Sequence, residues 1–276
     1  MLTCDLRLGR YQDVLADVEC DLLCADTPFS PRVHEGQRTG SSTRKSTLTY
    51  DAWTELQARE FVEFWVKRTR WWFIAWSDHT MRHWYESALE SLGWYVFAPV
   101  PWIREFPPPR LAADGPASAA DYLTIARPRR SLPPERRGSR SGYYVVPHQN
   151  GQALADERWH PGGKTLEDVV RMLAEYSNPG DVVCDPTAGG GTTLLAARHL
   201  ACAAIGSEAV EDTFETAARR LRIHAPTDEQ VETIRKRREW EKRQEVVGRS
   251  MATARRTRDE RRVDEQGDLP LFGGGA

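Results

Sequence analysis

The sequence predicts an α/β fold, a mostly parallel sheet with helices on both faces. Three observations predict it. Short apolar runs of strand length alternate with amphipathic runs of helix length through most of the chain. Two of the apolar runs stop at polar turns, at Asp26 and Asp185, of the kind that build a site at a strand's carboxyl end. The 276 residues, 40% of them hydrophobic, suffice for one sizeable α/β domain and a tail.

Taken in order, residues 1–25 read as strand, helix and strand, ending in Asp21-Leu22-Leu23-Cys24-Ala25. Residues 30–49 lack periodicity and read as a loop. Residues 51–70 place Phe61, Phe64 and Trp65 on one helical face. Trp71–Trp76 predicts a strand, and Trp65, Trp71, Trp72 and Trp76 are assigned to the core. Met81–Leu92 predicts a helix closed by Gly93, and Tyr95–Val100 a strand. Residues 106–142 break the alternation with proline runs and a run of arginines, leaving Leu123–Ala126 as a short strand. A helix over 164–177, a buried strand at Asp181–Cys184, a helix at Thr192–Leu200, a strand at Ala203–Ile205 and a helix at Glu211–Leu221 follow.

Beyond residue 225 Arg, Lys and Glu dominate, and this part cannot form its own core. The predicted division is a domain over 1–224, with a short basic insert at 106–160, and a charged helical or disordered tail over 225–276. The net charge of −2 excludes no partner, since clustering of basic residues decides nucleic-acid binding. The five cysteines are scattered and odd in number, so they read as reduced core residues and no metal is expected. There is no basic-then-apolar leader and no run of about 18 apolar residues, which predicts a cytoplasmic protein with no membrane partner.

The segment from Val182 to Thr193 runs from strand through Gly189-Gly190-Gly191 into helix. Glycine permits positive φ and close backbone approach, and a helix start offers amide donors. The Lys of a Walker loop is missing, and so is the spacing of a dinucleotide loop. Glu208 follows the next strand, about where a ribose-binding carboxylate sits in such sheets.

This loop resembles the D-P-F-x-G-S-G-T-T cofactor loop of the amino-group (N6-adenine or N4-cytosine) DNA methyltransferases. Asp26-Thr27-Pro28-Phe29 resembles their D-P-P-Y loop, with Thr27 in place of the first proline. His160-Pro161 through Asp181 is similar to the region preceding the cofactor loop. The catalytic loop comes first, the permuted order of the β group. The resemblance implies a Rossmann-like fold and S-adenosylmethionine as cofactor, held at Asp185, Pro186, Thr187, Gly189, Gly191 and Thr192, with Glu208 on the ribose.

The resemblance also implies methyl transfer to an exocyclic amine of a DNA base, the chemistry of a restriction-modification enzyme. The amine's lone pair is delocalised into the ring. The Asp26 carboxylate and the Thr27 carbonyl would accept its hydrogens, Pro28 would stiffen the turn, and Phe29 would stack on the extruded base. Adenine N6 is favoured because the loop begins with Asp, with cytosine N4 the alternative; C5 chemistry is disfavoured because no Pro-Cys motif occurs. Rivals are a relative that keeps the fold and binds DNA without turnover, and methylation of RNA or protein. Arg127, Arg129, Arg130, Arg136 and Arg137 are assigned to target recognition, and Arg32, Arg38, Arg44 and Lys45 to the backbone of the flipped nucleotide. The insert is short, so recognition is limited or shared with a second subunit, as in a homodimer. Gln266, Leu269, Leu271 and Phe272 resemble peptides that dock on bacterial sliding clamps.

Overall fold

The protein's structure, a computed structural model, describes residues 3–33, 51–107, 109, 115–146 and 163–245. Its elements alternate in this order: β1 (Cys4–Leu8), α1 (Tyr11–Val14), β2 (Cys20–Asp26), α2 (Glu55–Trp65), β3 (Thr69–Ser77), α3 (Met81–Ser91), β4 (Trp94–Val96), β5 (Val100–Arg104), β6 (Ala120–Pro128), β7 (Tyr144–Val146), α4 (Leu166–Tyr176), β8 (Val182–Asp185), α5 (Thr192–His199), β9 (Ala203–Glu208) and α6 (Glu211–His224). Residues 228–245 are helical. The chain divides into two units, Met1–Arg235 and Lys236–Ala276. The first runs past the expected end at 224 because its last helix is tied down. Val231 is buried, and buried Arg198 pairs with Asp228 at 3.3 Å.

The strands form one sheet in the order β1-β9-β8-β2-β3-β6-β5-β7, with β4 also on β6. From β1 through β3 all neighbours run parallel. β6 runs antiparallel to β3, β4 and β5. The central strands are buried on both faces, as their unbroken apolar runs require. Leu22, Cys24, Trp72, Ile74, Trp76 and Val183 pack with α4 and α5 on one face. Leu23, Ala25, Phe73, Ala75 and Cys184 pack with α1, α2 and α3 on the other. Helix α2 is set by a capping box between Thr54 and Gln57, and buries Ala58, Phe61, Val62 and Trp65 at helical spacing.

The topology places the site. From β8 the chain passes through α5 to β9 on one side; from β2 it passes through α2 to β3 on the other. Strand order therefore reverses between β2 and β8. Right-handed crossovers put α5 and α2 on opposite faces, which opens a crevice at the carboxyl ends of these two strands.

Three expectations are corrected. Tyr95–Val100 is two strands, β4 and β5, both paired to β6 and interrupted around Pro99, which has no amide hydrogen to donate. The short strand expected at Leu123–Ala126 is the nine-residue β6, so the stretch at 106–160 is no mere insert: it supplies the strand that joins three others. Of the cysteines, Cys20, Cys24, Cys184 and Cys202 are buried, but Cys4 is exposed on the edge strand β1.

Candidate active site

Asp26 ends β2 and Asp185 ends the neighbouring β8, so both loops open into the same crevice. Past Asp26 the chain is fixed by three ties. The Thr27 hydroxyl is buried and lies 2.7 Å from the Tyr85 hydroxyl of α3. The Phe29 carbonyl accepts from the Trp53 amide at 3.1 Å. The Ser30 amide donates to Asp78 Oδ2 at 2.8 Å. Asp78 also accepts from the Thr80 and Met81 amides at the start of α3. Burial works against this carboxylate, yet hydrogen bonds from Met81, Ser30 and Thr80 outweigh it and hold it below its ordinary range. Thr27, which stands where a proline would stiffen the turn, is thus stiffened by a tertiary hydrogen bond.

Lys164, just ahead of α4, reaches back into the crevice. Its Nζ donates to Asp26 Oδ2 at 2.9 Å, lies 3.8 Å from Asp121 Oδ2, and sits 5.6 Å from the ring centres of Phe29 and of Trp76. Asp121 is in turn paired with Arg104 at 2.8 Å.

The glycine loop is built against β9. A Cβ on Gly206 would come within 2.5 Å of the Asp185 carbonyl, so only glycine allows β9 this close. Gly191 has φ +76° and sits at the start of α5, a backbone state disfavoured for other residues. The Ser207 hydroxyl donates to the Pro186 carbonyl, and the Ala188 amide to the Ser207 carbonyl, both at 2.9 Å. Glu208 accepts from the amides of Gly189 and Val210, each at 2.9 Å. Buried Arg220 of α6 donates to the Gly190 carbonyl at 2.9 Å and the Thr192 hydroxyl at 2.7 Å.

Electrostatics define what this crevice accepts. Burial pushes the Asp185 carboxyl up to about 7, against hydrogen bonds from Thr193 and Thr187, and the Asp26 and Glu208 charges push the same way. Once ionised, the buried Asp185 carboxylate is complementary to a cationic ligand. The Thr187 hydroxyl, also in this loop, is buried with no hydrogen-bond partner among the described residues.

A family profile described as DNA methylase, of the N6/N4 class, matches residues 21–219, well over half of the chain. The chain belongs to this DNA methylase family. Both loops, Asp26–Phe29 and Asp185–Thr193, and Glu208 fall within the matched span. Solved structures share the fold. M1.HpyAVI in complex with SAM matches at 18% identity and TM-score 0.61, covering 79% of this chain and 98% of that one. TTHA0409 of Thermus thermophilus, complexed with S-adenosyl-L-methionine, matches at 17% identity and TM-score 0.54, covering 80% and 94%. PvuII DNA methyltransferase, which is cytosine-N4-specific, matches at 14% identity and TM-score 0.55, covering 86% and 93%.

The family's two loops meet, but the predicted recognition arginines do not join them. Because β6 is antiparallel to β3, the chain beyond Pro128 emerges beside the amino end of β3. Seven-residue β2 spans roughly 20 Å, which separates that edge from Asp26. The cations there make contacts within the fold, and Arg129, Arg130 and Arg137 are also exposed. Arg136 makes two bonds to Asp181, at 2.9 and 2.5 Å, and lies over Trp71. Arg130 donates to the Arg70 carbonyl and also lies over Trp71. Arg127 donates to the Arg130 carbonyl, Arg137 to the Leu132 carbonyl, and exposed Arg129 lies over Tyr95. Arg127, Arg129, Arg130, Arg136 and Arg137 thus line the amino edge of the sheet, at the opposite end from the two loops.

Arg32 is exposed just past the catalytic loop. Arg38, Arg44, Lys45, His160 and Pro161 lie outside the described residues, as do Gln266, Leu269, Leu271 and Phe272. Sequence reasoning missed Lys164, Asp78, Tyr85 and Arg220. Only Asp78, an acidic residue three positions before a helix, carried a readable local signal.

Proposed function

We propose that this DNA methylase transfers a methyl group from S-adenosylmethionine to the exocyclic N6 amine of adenine. The observation that carries the reading is the meeting of the Asp26 and Asp185 loops at the ends of adjacent parallel strands. S-adenosylmethionine, when bound, supplies an electrophilic methyl group on a sulfonium, and its ammonium adds a second positive charge. Asp185 binds its methionine part, with Pro186, Thr187, Gly189, Gly191 and Thr192 shaping the cradle. Glu208, already fixed by two amides, takes the ribose hydroxyls.

The flipped base stacks on Phe29. The Asp26 carboxylate and the Thr27 carbonyl accept the amine's two hydrogens and turn its lone pair toward the methyl group. With the cofactor bound, the N–C bond would form as the sulfonium S–CH3 bond breaks to leave a thioether, and the Asp26 carboxylate would take the proton that the amine gives up. Pro28 and the Thr27–Tyr85 hydrogen bond keep the carbonyl aimed. Adenine is favoured over cytosine N4 because the loop begins with Asp26. In the test, Asp26→Ala lowers the rate of transfer to DNA by at least about 100-fold, while calorimetric binding of S-adenosylmethionine stays within a few-fold of wild type. Undiminished transfer in Asp26→Ala overturns the assignment.

A further inference from the structure

We infer that Lys164 is a positioning residue for the reaction: its ammonium fixes the Asp26 carboxylate in place and keeps it ionised against the acidic crevice around it. This rests on the reading of Asp26 given above. The side chain comes from outside both loops and is 138 positions from Asp26 in sequence, yet it makes a 2.9 Å bond to Oδ2. Its side chain is only 13% exposed, so the cation is placed rather than solvated. The aromatic faces of Phe29 and Trp76 complete its surroundings.

A purely structural explanation is weak on energetic grounds. A buried ion pair commonly gives no net stability over an apolar side chain of the same volume. The pair therefore calls for another reason, and the nature of the carboxylate supplies one. Asp26 has acidic neighbours on several sides. Asp185 of β8 acts on it electrostatically once ionised, whereas burial raises the Cys24 thiol of β2 and the Tyr85 phenol of α3 and keeps both neutral. Asp121 of β6 lies on the far side of Lys164, and its partner Arg104 of β5 lies beyond that. The result is an alternating row, Arg104, Asp121, Lys164, Asp26, in which Lys164 is the cation that touches Asp26. Burial would pull the Lys164 ammonium down, but the Asp26 and Asp121 carboxylates outweigh it and hold it above its ordinary value. Lys164 thus stays charged wherever the enzyme works. Without it, Asp26 faces Asp121 with this countercharge gone, and takes up a proton at higher pH. A protonated Asp26 offers a donor where the amine needs an acceptor.

The experiment compares wild type with Lys164→Met, Lys164→Gln and Lys164→Arg. The titration of Asp26 is followed by carboxyl carbon NMR on protein labelled at aspartate, with Asp26→Asn giving the assignment. Removing the charge moves the Asp26 midpoint up by at least one pH unit; Lys164→Arg restores it. In parallel, the acid limb of kcat/KM for DNA moves up by the same amount. At neutral pH kcat falls at least tenfold, with the Kd for S-adenosylmethionine within threefold of wild type. Lys164→Gln keeps a hydrogen-bonding side chain, so it decides the matter if Lys164→Met does not fold. An unmoved Asp26 midpoint in a folded, uncharged variant overturns the inference. The titration is read without turnover, so a wild type that fails to methylate DNA sinks the functional reading and leaves this test intact.

Discussion

Replacing Tyr85 by Phe removes one oxygen and asks how much the Thr27 tie is worth. Thr27 is 2% exposed and Tyr85 fully buried, so neither hydroxyl can turn to water when the other is removed. The 2.7 Å hydrogen bond contributes about 0.5–1.5 kcal/mol net, and stranding the Thr27 hydroxyl costs about 1–3 kcal/mol. The larger figure governs, because the loss is a buried unsatisfied group. For a unit of this size each kcal/mol moves Tm by about 2–4 °C, so Tyr85→Phe lowers Tm by about 2–12 °C. Thr27→Val alone does the same from the other side. The double variant, with both partners apolar, lies closer to wild type than the sum of the singles, with a coupling of about 1–2 kcal/mol. Urea unfolding of the four proteins measures this. Turnover is more sensitive, because a loop misplaced by about 1 Å loses on the order of 100-fold in rate. Tyr85→Phe therefore lowers kcat on DNA more than its stability loss suggests. Strictly additive effects on stability, with kcat unchanged, would refute the claim that this pair stiffens the turn.

Two other changes test the electrostatics and the role of Arg136. The Asp185 carboxyl lies near 7 in the fold, against an unfolded value of 3.8, so the stability linked to its proton is full below about 3.8 and lost as pH rises through 7. Asp185→Asn accordingly raises the Tm of the ligand-free protein more at pH 8 than at pH 5, with the gain vanishing only toward pH 3.8, while abolishing S-adenosylmethionine binding; an equal Tm difference at both pH values contradicts the assignment. For the parent protein, affinity for this cationic ligand rises as pH passes through 7, with proton release visible by calorimetry in buffers of different ionisation heat. Arg136→Ala strands the buried Asp181 carboxylate and costs about 3 kcal/mol or more by urea unfolding, with the salt dependence of DNA binding unchanged; a lowered salt slope would return Arg136 to the DNA interface.

The two loops were legible because each is written in consecutive residues. An apolar strand running into Asp26-Thr27-Pro28-Phe29, or into a glycine turn and a helix, announces itself without its partners. What lay beyond was not local. The arginines between Arg127 and Arg137 look like a nucleic-acid stripe by composition, and only the direction of β6 shows that they emerge at the other end of the sheet. Their partners, Asp181, Trp71 and Tyr95, are set by that topology. Lys164 was a single lysine before a helix, made significant by Asp26 and Asp121 from two distant strands. Thr27 read as a departure from the proline pattern, and Tyr85 on a different element explains how the turn stays rigid.

The central claim is most directly tested by the product. The full chain is incubated with unmethylated DNA and S-adenosylmethionine deuterated in its methyl group, and the DNA is digested to nucleosides for mass spectrometry. The account predicts deuterated N6-methyldeoxyadenosine, absent with Asp26→Ala. Label at cytosine N4 would overturn the choice of base, and a DNA digest without label, or with label only at cytosine C5, would contradict the account.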